Sequence, residues 1–486
     1  MTDSAVRKLE PIEVWENFAD INAIPRASKK EERIIAFMVD FGKNLGLETT
    51  VDPVGNVIIR KPASAGMEDR KTVVMQSHLD MVHQKNADSN FDFDKEGIRM
   101  LIQGDWVKAE GTTLGADNGL GVAAIMGILK SSTIPHPALE ALFTIDEETG
   151  MTGAQGLEPG YLQGEILLNL DTEEDDEIDI GCAGGIDITA KKKYETEEAG
   201  NKVKFYRISV TGLQGGHSGM DIHKGLGNAN KIMNGVLVHM RNEIRLSYLE
   251  GGSLRNAIPR ESFADIVIEE ESLETSMKRF EEVAMTFKQS FSRIEPDLEI
   301  QIEEKQGLQK VLKIEDQNAL LEGIGQALNG VYKMSPDIPD LVEASNNIAK
   351  VTVADGLMKV ECLTRSSVEE SKSEVQELLR SNFENKGFEV SFSGSYPGWS
   401  PNGDSPILKV LKQVYSDLFA EEPKVVACHA GLECGIIGSH YPEMDMISFG
   451  PTIKGAHSPD ERASIASVRR FWGFLVEILK NIPAKN

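Results

Sequence analysis

The chain has 486 residues, 40% of them hydrophobic, and its 51 basic and 77 acidic side chains leave a formal net charge of −26. That length exceeds one ordinary core, so two or more domains are expected. The charge opposes any non-specific hold on nucleic acid or an anionic membrane and favours a small-molecule or peptide partner.

The opening "MTDSAVRKLEPIEVWENF" lacks an apolar signal core, and no run of about 20 apolar residues follows anywhere, so a cytoplasmic protein is expected. Residues 12 to 48 read as two amphipathic helices separated near "AIPRASKKEE", with Ser28 as a helix cap and Glu31 three positions on. Next come the strand "TVVMQ", the helix "GLGVAAIMGILK" and the strands "ALEALFTI" and "EILLNL". The same texture returns in "SPILKVLKQVYSDLF", "DMISFG" and a last helix through "RFWGFLVEILKNI". This alternation predicts an α/β fold whose mixed, largely parallel sheet is flanked by helices.

Between about 186 and 396 the texture changes to charged, alternating strands and long amphipathic helices, which predicts an α+β domain inserted into the first. The catalytic part is therefore expected at 1–185 and 397–486. Inside the insert, "NAIPRESFADIVIEEESLETSMKRFEEV" and "NIAKVTVADGLMKVECLTRSSVEESKSEVQELL" both run asparagine, strand, strand, helix, which suggests a weak duplication. Cys182, Cys362, Cys428 and Cys434 show no paired spacing and are expected as reduced thiols.

Polar residues of metal-ligand type gather where apolar strands end. "KTVVMQSHLDMV" delivers His78 and Asp80, "ALFTIDEETG" Glu147 and Glu148, and "EILLNLD" Asp171. "GTTLGADNG" places Asp117 before a helix, and "DMISFGPTIKGAH" leads to His457. The carboxyl ends of neighbouring strands in an open α/β sheet share one crevice, so these side chains should converge. Singly, Asp117 reads as a helix-end charge, Asp171 as the start of a solvated acidic run, and the glutamates as a strand-end pair. Together, three carboxylates and two histidines in one crevice would repel and resist desolvation without cations, and the set suits zinc or a similar divalent metal. Successive side chains on an extended strand point apart, so Glu147 and Glu148 should differ in role, although spacing does not say which is ligand and which is base.

"SHLDMV", "GADNG", "DEETG", "NLD" and "GAHSPDE", in this order around an inserted domain, resemble the two-zinc metallopeptidase family that includes carboxypeptidase G, succinyl-diaminopimelate desuccinylase and several dipeptidases. "MQSHLDMVHQKN", "GTTLGADNGLGVA", "LQGGHSGMDI" and "HAGLECGIIG" are most similar to its aminoacyl-histidine, or cytosolic non-specific, dipeptidases. The resemblance implies two divalent ions, zinc first, with cobalt or manganese as substitutes. His78 and Asp171 would hold one, Glu148 and His457 the other, and Asp117 would bridge them. It also implies that Asp80 orients the His78 imidazole, that Glu147 is the general base, and that the insert is a lid. There His217 would stabilise an oxyanion, Asn256 would contact substrate and Arg365 would grip the substrate carboxylate. "HAGLECG" stands where many relatives carry an arginine-containing segment, which leaves the carboxylate partner open. Hydrolysis of unblocked dipeptides, β-alanyl-histidine among them, is the expected activity, and a homodimer the expected assembly. An N-acyl amino-acid deacylase and an inactive metal-binding scaffold are the alternatives; an intact Glu147 argues against the scaffold.

Overall fold

A computed structural model describes residues 3–86, 89–306, 310–336 and 338–485; the expected outer bounds at residues 1 and 486 lie outside them. Two compact units emerge. One runs to Cys182 and resumes at Trp399–Ala427 and from Leu432 onward; the other comprises Ala183–Gly398 and the short segment Cys428–Gly431.

The first unit is built on an eight-stranded sheet. Its strands lie in the order Glu48–Val51, Val57–Lys61, Leu139–Thr144, Val73–His78, Ile166–Asn169, Asp445–Ser448, Glu177–Cys182 and Lys424–Cys428. The four central strands Leu139–Thr144, Val73–His78, Ile166–Asn169 and Asp445–Ser448 are parallel, and antiparallel pairing is confined to the flanks. Val73–His78 and Leu139–Thr144 are buried at every position, as continuous apolar runs require when helices cover both faces. Helix Ala116–Lys130 packs on Val73–His78 and against helix Ile12–Asn22. Its sequence is apolar all round because it is enclosed all round.

Ser28 does not cap the second helix. Glu31 occupies the position before Glu32–Asn44 and makes no side-chain cap, while the Ser28 hydroxyl donates to Asp80 Oδ2 at 2.7 Å. The helix begins at Glu32, which leaves Ser28 three residues short of the capping position.

The second unit carries a nine-stranded sheet covered by helices. Val203–Thr211, Ala229–His239, Ile244–Gly251, Ser262–Glu269, Leu273–Phe291 and Glu299–Lys305 run strand, helix, strand, strand, helix, strand. Numbered along the chain, those strands lie in the order 4-1-3-2. Gly184–Lys193, Ile314–Gln326, Val342–Ala354, Leu357–Ser366, Glu369–Glu384 and Glu389–Tyr396 repeat this arrangement in mirror order, joined by pairing of Leu249–Gly251 with Val351–Val353. Of the two similar sequence segments, the second strand and the helix take corresponding places in the two halves, Ser262–Glu269 with Leu273–Phe291 and Leu357–Ser366 with Glu369–Glu384, but the first strand does not: Ala257–Ile258 pairs outside the large sheet and Val342–Ala354 lies within it. Among the described residues no helix is long and apolar enough to cross a membrane.

Candidate active site

In-register parallel pairing sets Thr144 beside His78 and Asn169 beside Gln76, so the chain leaves three neighbouring strands at one end of the first unit's sheet. His78 ends its strand, Glu147 and Glu148 follow the second, and Asp171 follows the third. The two glutamates are not on an extended strand: residues 147–150 form a turn behind Asp146, whose φ is 52°. That turn aims both carboxylates at His78 rather than apart, which removes the alternation argument for their different roles. Asp117 lies at the start of Ala116–Lys130 with φ −78° and ψ 111°, and its carboxylate oxygens turn to His78 and His457 instead of the helix amides, so its side chain is not a helix-end cap. His457 comes from the loop between Ile453–Lys454 and Arg462–Ser464.

Asp117 stands in the middle. Its Oδ1 lies 3.2 Å from His78 Nε2 and its Oδ2 3.2 Å from His457 Nε2. Asp171 Oδ1 is 3.5 Å from His78 Nε2, Glu148 Oε2 is 3.0 Å from His457 Nε2, and Glu147 Oε2 is 4.0 Å from His78 Nε2. Two ligand groups result, His78 with Asp117 and Asp171, and Asp117 with Glu148 and His457. The buried oxygens Glu148 Oε1 and Asp171 Oδ1 have no hydrogen-bond partner among the described residues. A buried carboxylate oxygen left in that state is costly unless a cation takes it. Hydrogen bonds to Asp117 and Glu148 push His457 up to about 11. Burial opposes protonation of His78, yet the Asp171 charge and the adjoining carboxylates of Asp117 and Asp80 hold it well above its usual value. Four carboxylates around two imidazoles thus demand positive charge, and a pair of divalent cations sharing Asp117 fits that donor set.

A third acidic group, Glu31, Asp80 and Asp146, is already satisfied. Glu31 accepts from the Lys29 and Asp146 amides, Asp146 from the Thr149 and Thr152 hydroxyls, and Asp80 from Ser28 Oγ and the amides of Glu147 and Glu148. Asp80 therefore fixes the turn that bears both glutamates. His78 Nδ1 donates to the Asp80 carbonyl oxygen at 3.1 Å, with the carboxylate Oδ1 at 3.4 Å, which leaves Nε2 to face Asp117 and Asp171 as the atom that could bind a cation. Burial, together with Asp171, Glu148 and Glu433, raises the Glu147 carboxyl well above its usual range against the pull of His78.

Sequence reasoning missed Glu433. It is fully buried, accepts from Gln76 Nε2 and Thr144 Oγ1 at 2.6 Å each, and burial pushes it up to about 8.

In the second unit, the two-residue strand Gly216–His217 pairs with Ala257–Ile258, and the Ser218 amide donates to the Asn256 carbonyl. His217 Nδ1 lies 3.3 and 3.1 Å from the amides of Gly219 and Met220, and its Nε2 lies 3.3 Å from Arg365 Nη2. Arg365 is 5% exposed and makes no ion pair with a carboxylate among the described residues; Nη1 donates to Tyr396 Oη. Asn256 is exposed. Of "HAGLECG", His429 joins this cluster: Ser345 Oγ lies 2.8 Å from its Nε2, and burial, with the charges of Arg365 and His217, pushes it down to about 3. A neutral imidazole beside an unpaired guanidinium suits an anionic group.

The sequence profile described as Peptidase family M20/M25/M40 matches residues 74–481. The chain belongs to this family. It is 41% identical over 484 residues to the cytosol non-specific dipeptidase of Escherichia coli K12, covering 99% of this chain and 100% of that one. The crystal structure of aminoacylhistidine dipeptidase from Vibrio alginolyticus superposes with a TM-score of 0.90 at 42% identity over 99% of both chains. Aminopeptidase PepT from Bacillus cereus, 15% identical with a TM-score of 0.57 over 98% of this chain and 99% of that one, shares the fold. The M20 chain described here is thus a peptide hydrolase with mixed sheets flanked by helices.

Proposed function

We propose that this M20 peptidase hydrolyses unblocked dipeptides, Xaa-His dipeptides such as β-alanyl-histidine among them, and that it does so with two zinc ions, for which cobalt or manganese can substitute. The observation that carries this reading is the pair of ligand groups meeting at Asp117 with Glu147 alongside. His78 and Asp171 would hold one ion, Glu148 and His457 the other, with Asp117 common to both. Bound there, the ions would supply Lewis-acid polarisation of the scissile carbonyl and a more acidic water.

The remaining work falls to the chain. Glu147, with its carboxyl raised by burial, takes the proton of the attacking water and returns it to the leaving amine. Asp80 keeps the base in place through the Glu147 amide and holds His78 in the Nδ1–H tautomer. The second unit acts as a lid: His217 donates from Nε2 to the developing oxyanion, Asn256 contacts the substrate backbone, and Arg365 receives the terminal carboxylate. Relatives named for dipeptides and aminoacyl-histidine support the substrate class. A cytoplasmic homodimer is the working assembly. The test is a panel of free dipeptides, aminoacyl-histidines and N-acyl amino acids, assayed with and without zinc. Free dipeptides should be cleaved only with metal, and faster cleavage of N-acyl amino acids would overturn the substrate assignment.

A further inference from the structure

We infer that Arg26 and Glu461 are positioning residues that set the spacing of the two ligand groups by gripping the Asp117 turn from opposite sides, an inference that rests on the two-cation reading above.

The chain enters Ala116–Lys130 with backbone amides that need acceptors. One side chain supplies them. The Glu461 carboxylate, 2% exposed, accepts from the amides of Leu114 (2.6 Å), Gly115 (3.0 Å), Ala116 (2.7 Å) and Asp117 (3.3 Å). Asp117 is thereby released from capping and turns its carboxylate to His78 and His457. Glu461 sits four residues beyond His457, before Arg462–Ser464, so it fastens the loop bearing one ligand to the turn bearing the shared one.

Arg26, 1% exposed, makes the opposite tie. Its Nη1 donates to the carbonyls of Leu79 (3.0 Å) and Asp80 (3.1 Å), just past His78, and its Nη2 to the Gly115 carbonyl (2.6 Å) and Asn22 Oδ1 (3.1 Å). The guanidinium fastens the exit of the His78 strand to the Asp117 turn. The glycines of "GADNG" follow from this. Gly115 has φ 70°, and a Cβ there would lie 2.4 Å from Arg26 Nη2; one at Gly119 would lie 2.7 Å from the same atom. Two opposite charges buried this deeply are poor evidence of added stability, because desolvation cancels much of their attraction. Their bonds instead tie the Asp117 turn to the segment that follows His78 and to the His457 loop on which Glu461 sits, where partners of ligands govern metal affinity.

The two ties should therefore fail selectively. Whole protein, stripped by chelation, is titrated with zinc against a chromophoric competitor, and its thermal midpoint is read before metal is added. Glu461→Gln should weaken the cation of the Glu148 and His457 group by roughly tenfold to hundredfold, the usual loss when a ligand's partner is removed. The His78 and Asp171 group should change much less, because its own tie to the Asp117 turn, through Arg26, stays intact. Arg26→Lys should show the reverse. With His457→Ala as background, adding Glu461→Gln should cost almost nothing further, while Arg26→Lys should keep its full cost. Should Glu461→Gln not fold, Glu461→Asp, one methylene shorter, should give the same selectivity at smaller size. Equal weakening of both cations by each variant, or a lowered midpoint with unchanged affinities, would overturn the inference. Failure of the two-cation reading is distinguishable, because the unmodified protein would then not take up two ions.

Discussion

The two halves of the ligand cluster are built differently. His78 is 1% exposed, terminates a strand buried at every position, and has both ring nitrogens engaged. The His457 side chain is 56% exposed, sits at φ 62° on a loop, and is held by Asp117 and Glu148. A ligand set by the sheet is preorganised before any cation arrives, whereas one carried on a loop owes its place to side-chain ties. The cation of the His457 half should therefore be the more easily lost.

Substitutions at the histidines probe that contrast most strongly. Both His78→Ala and His457→Ala should abolish turnover. Metal analysis should find one ion per chain retained in His457→Ala. His78→Ala should also destabilise the chelated protein, by roughly 3 kcal/mol, since it strips buried carboxylates of their partner. His457→Ala should destabilise the chelated protein less than His78→Ala, because the His457 side chain is itself 56% exposed although it also partners Asp117 and Glu148. Equal destabilisation by the two would erase the difference between the halves. Glu147→Gln comes next: turnover should fall by roughly a hundredfold to ten-thousandfold, the range for a lost general base, with both ions still bound. If an ion were missing, Glu147 would be a ligand and the roles of the two glutamates would be exchanged.

The second unit offers a milder test. His217→Ala should cost roughly 3 kcal/mol in the transition state, on the order of a hundredfold in turnover, with metal content intact. Near-normal kinetics would make His217 a turn residue. The smallest effect concerns the terminal carboxylate. C-terminally amidated dipeptides should be cleaved about ten to a hundred times less efficiently than their free counterparts, the cost of a lost charge-assisted bond. Arg365→Lys should narrow that gap, and an unchanged gap would remove Arg365 from carboxylate recognition.

What the sequence showed depends on how each residue is placed. His78 and Asp171 stand at or just past the ends of apolar strands, and the parallel order of those strands was legible in the alternation of strand and helix. Glu147 and Glu148 were visible for the same reason, but not their direction, because a turn at Asp146 replaced the extended backbone that the alternation rule assumes. Ser28 looked like a helix cap because capping is local, while its actual partner, Asp80, is 52 residues away. Arg26 and Glu461 stood inside "AIPRASKKEE" and "GAHSPDE" but were not singled out there. Their partners are mostly backbone amides and carbonyls, which every residue has and no sequence pattern marks. His217 and Arg365 were each named only through resemblance, and their approach across 148 residues was not foreseen.

The central claim, a two-cation centre organised about Asp117, is tested most directly by stepwise zinc titration of chelated protein with dipeptide hydrolysis followed at each addition. No hydrolysis is expected before metal, with uptake of two equivalents per chain and full activity only as the second is bound. Hydrolysis by exhaustively chelated protein, or full activity with uptake complete at one equivalent, would contradict it.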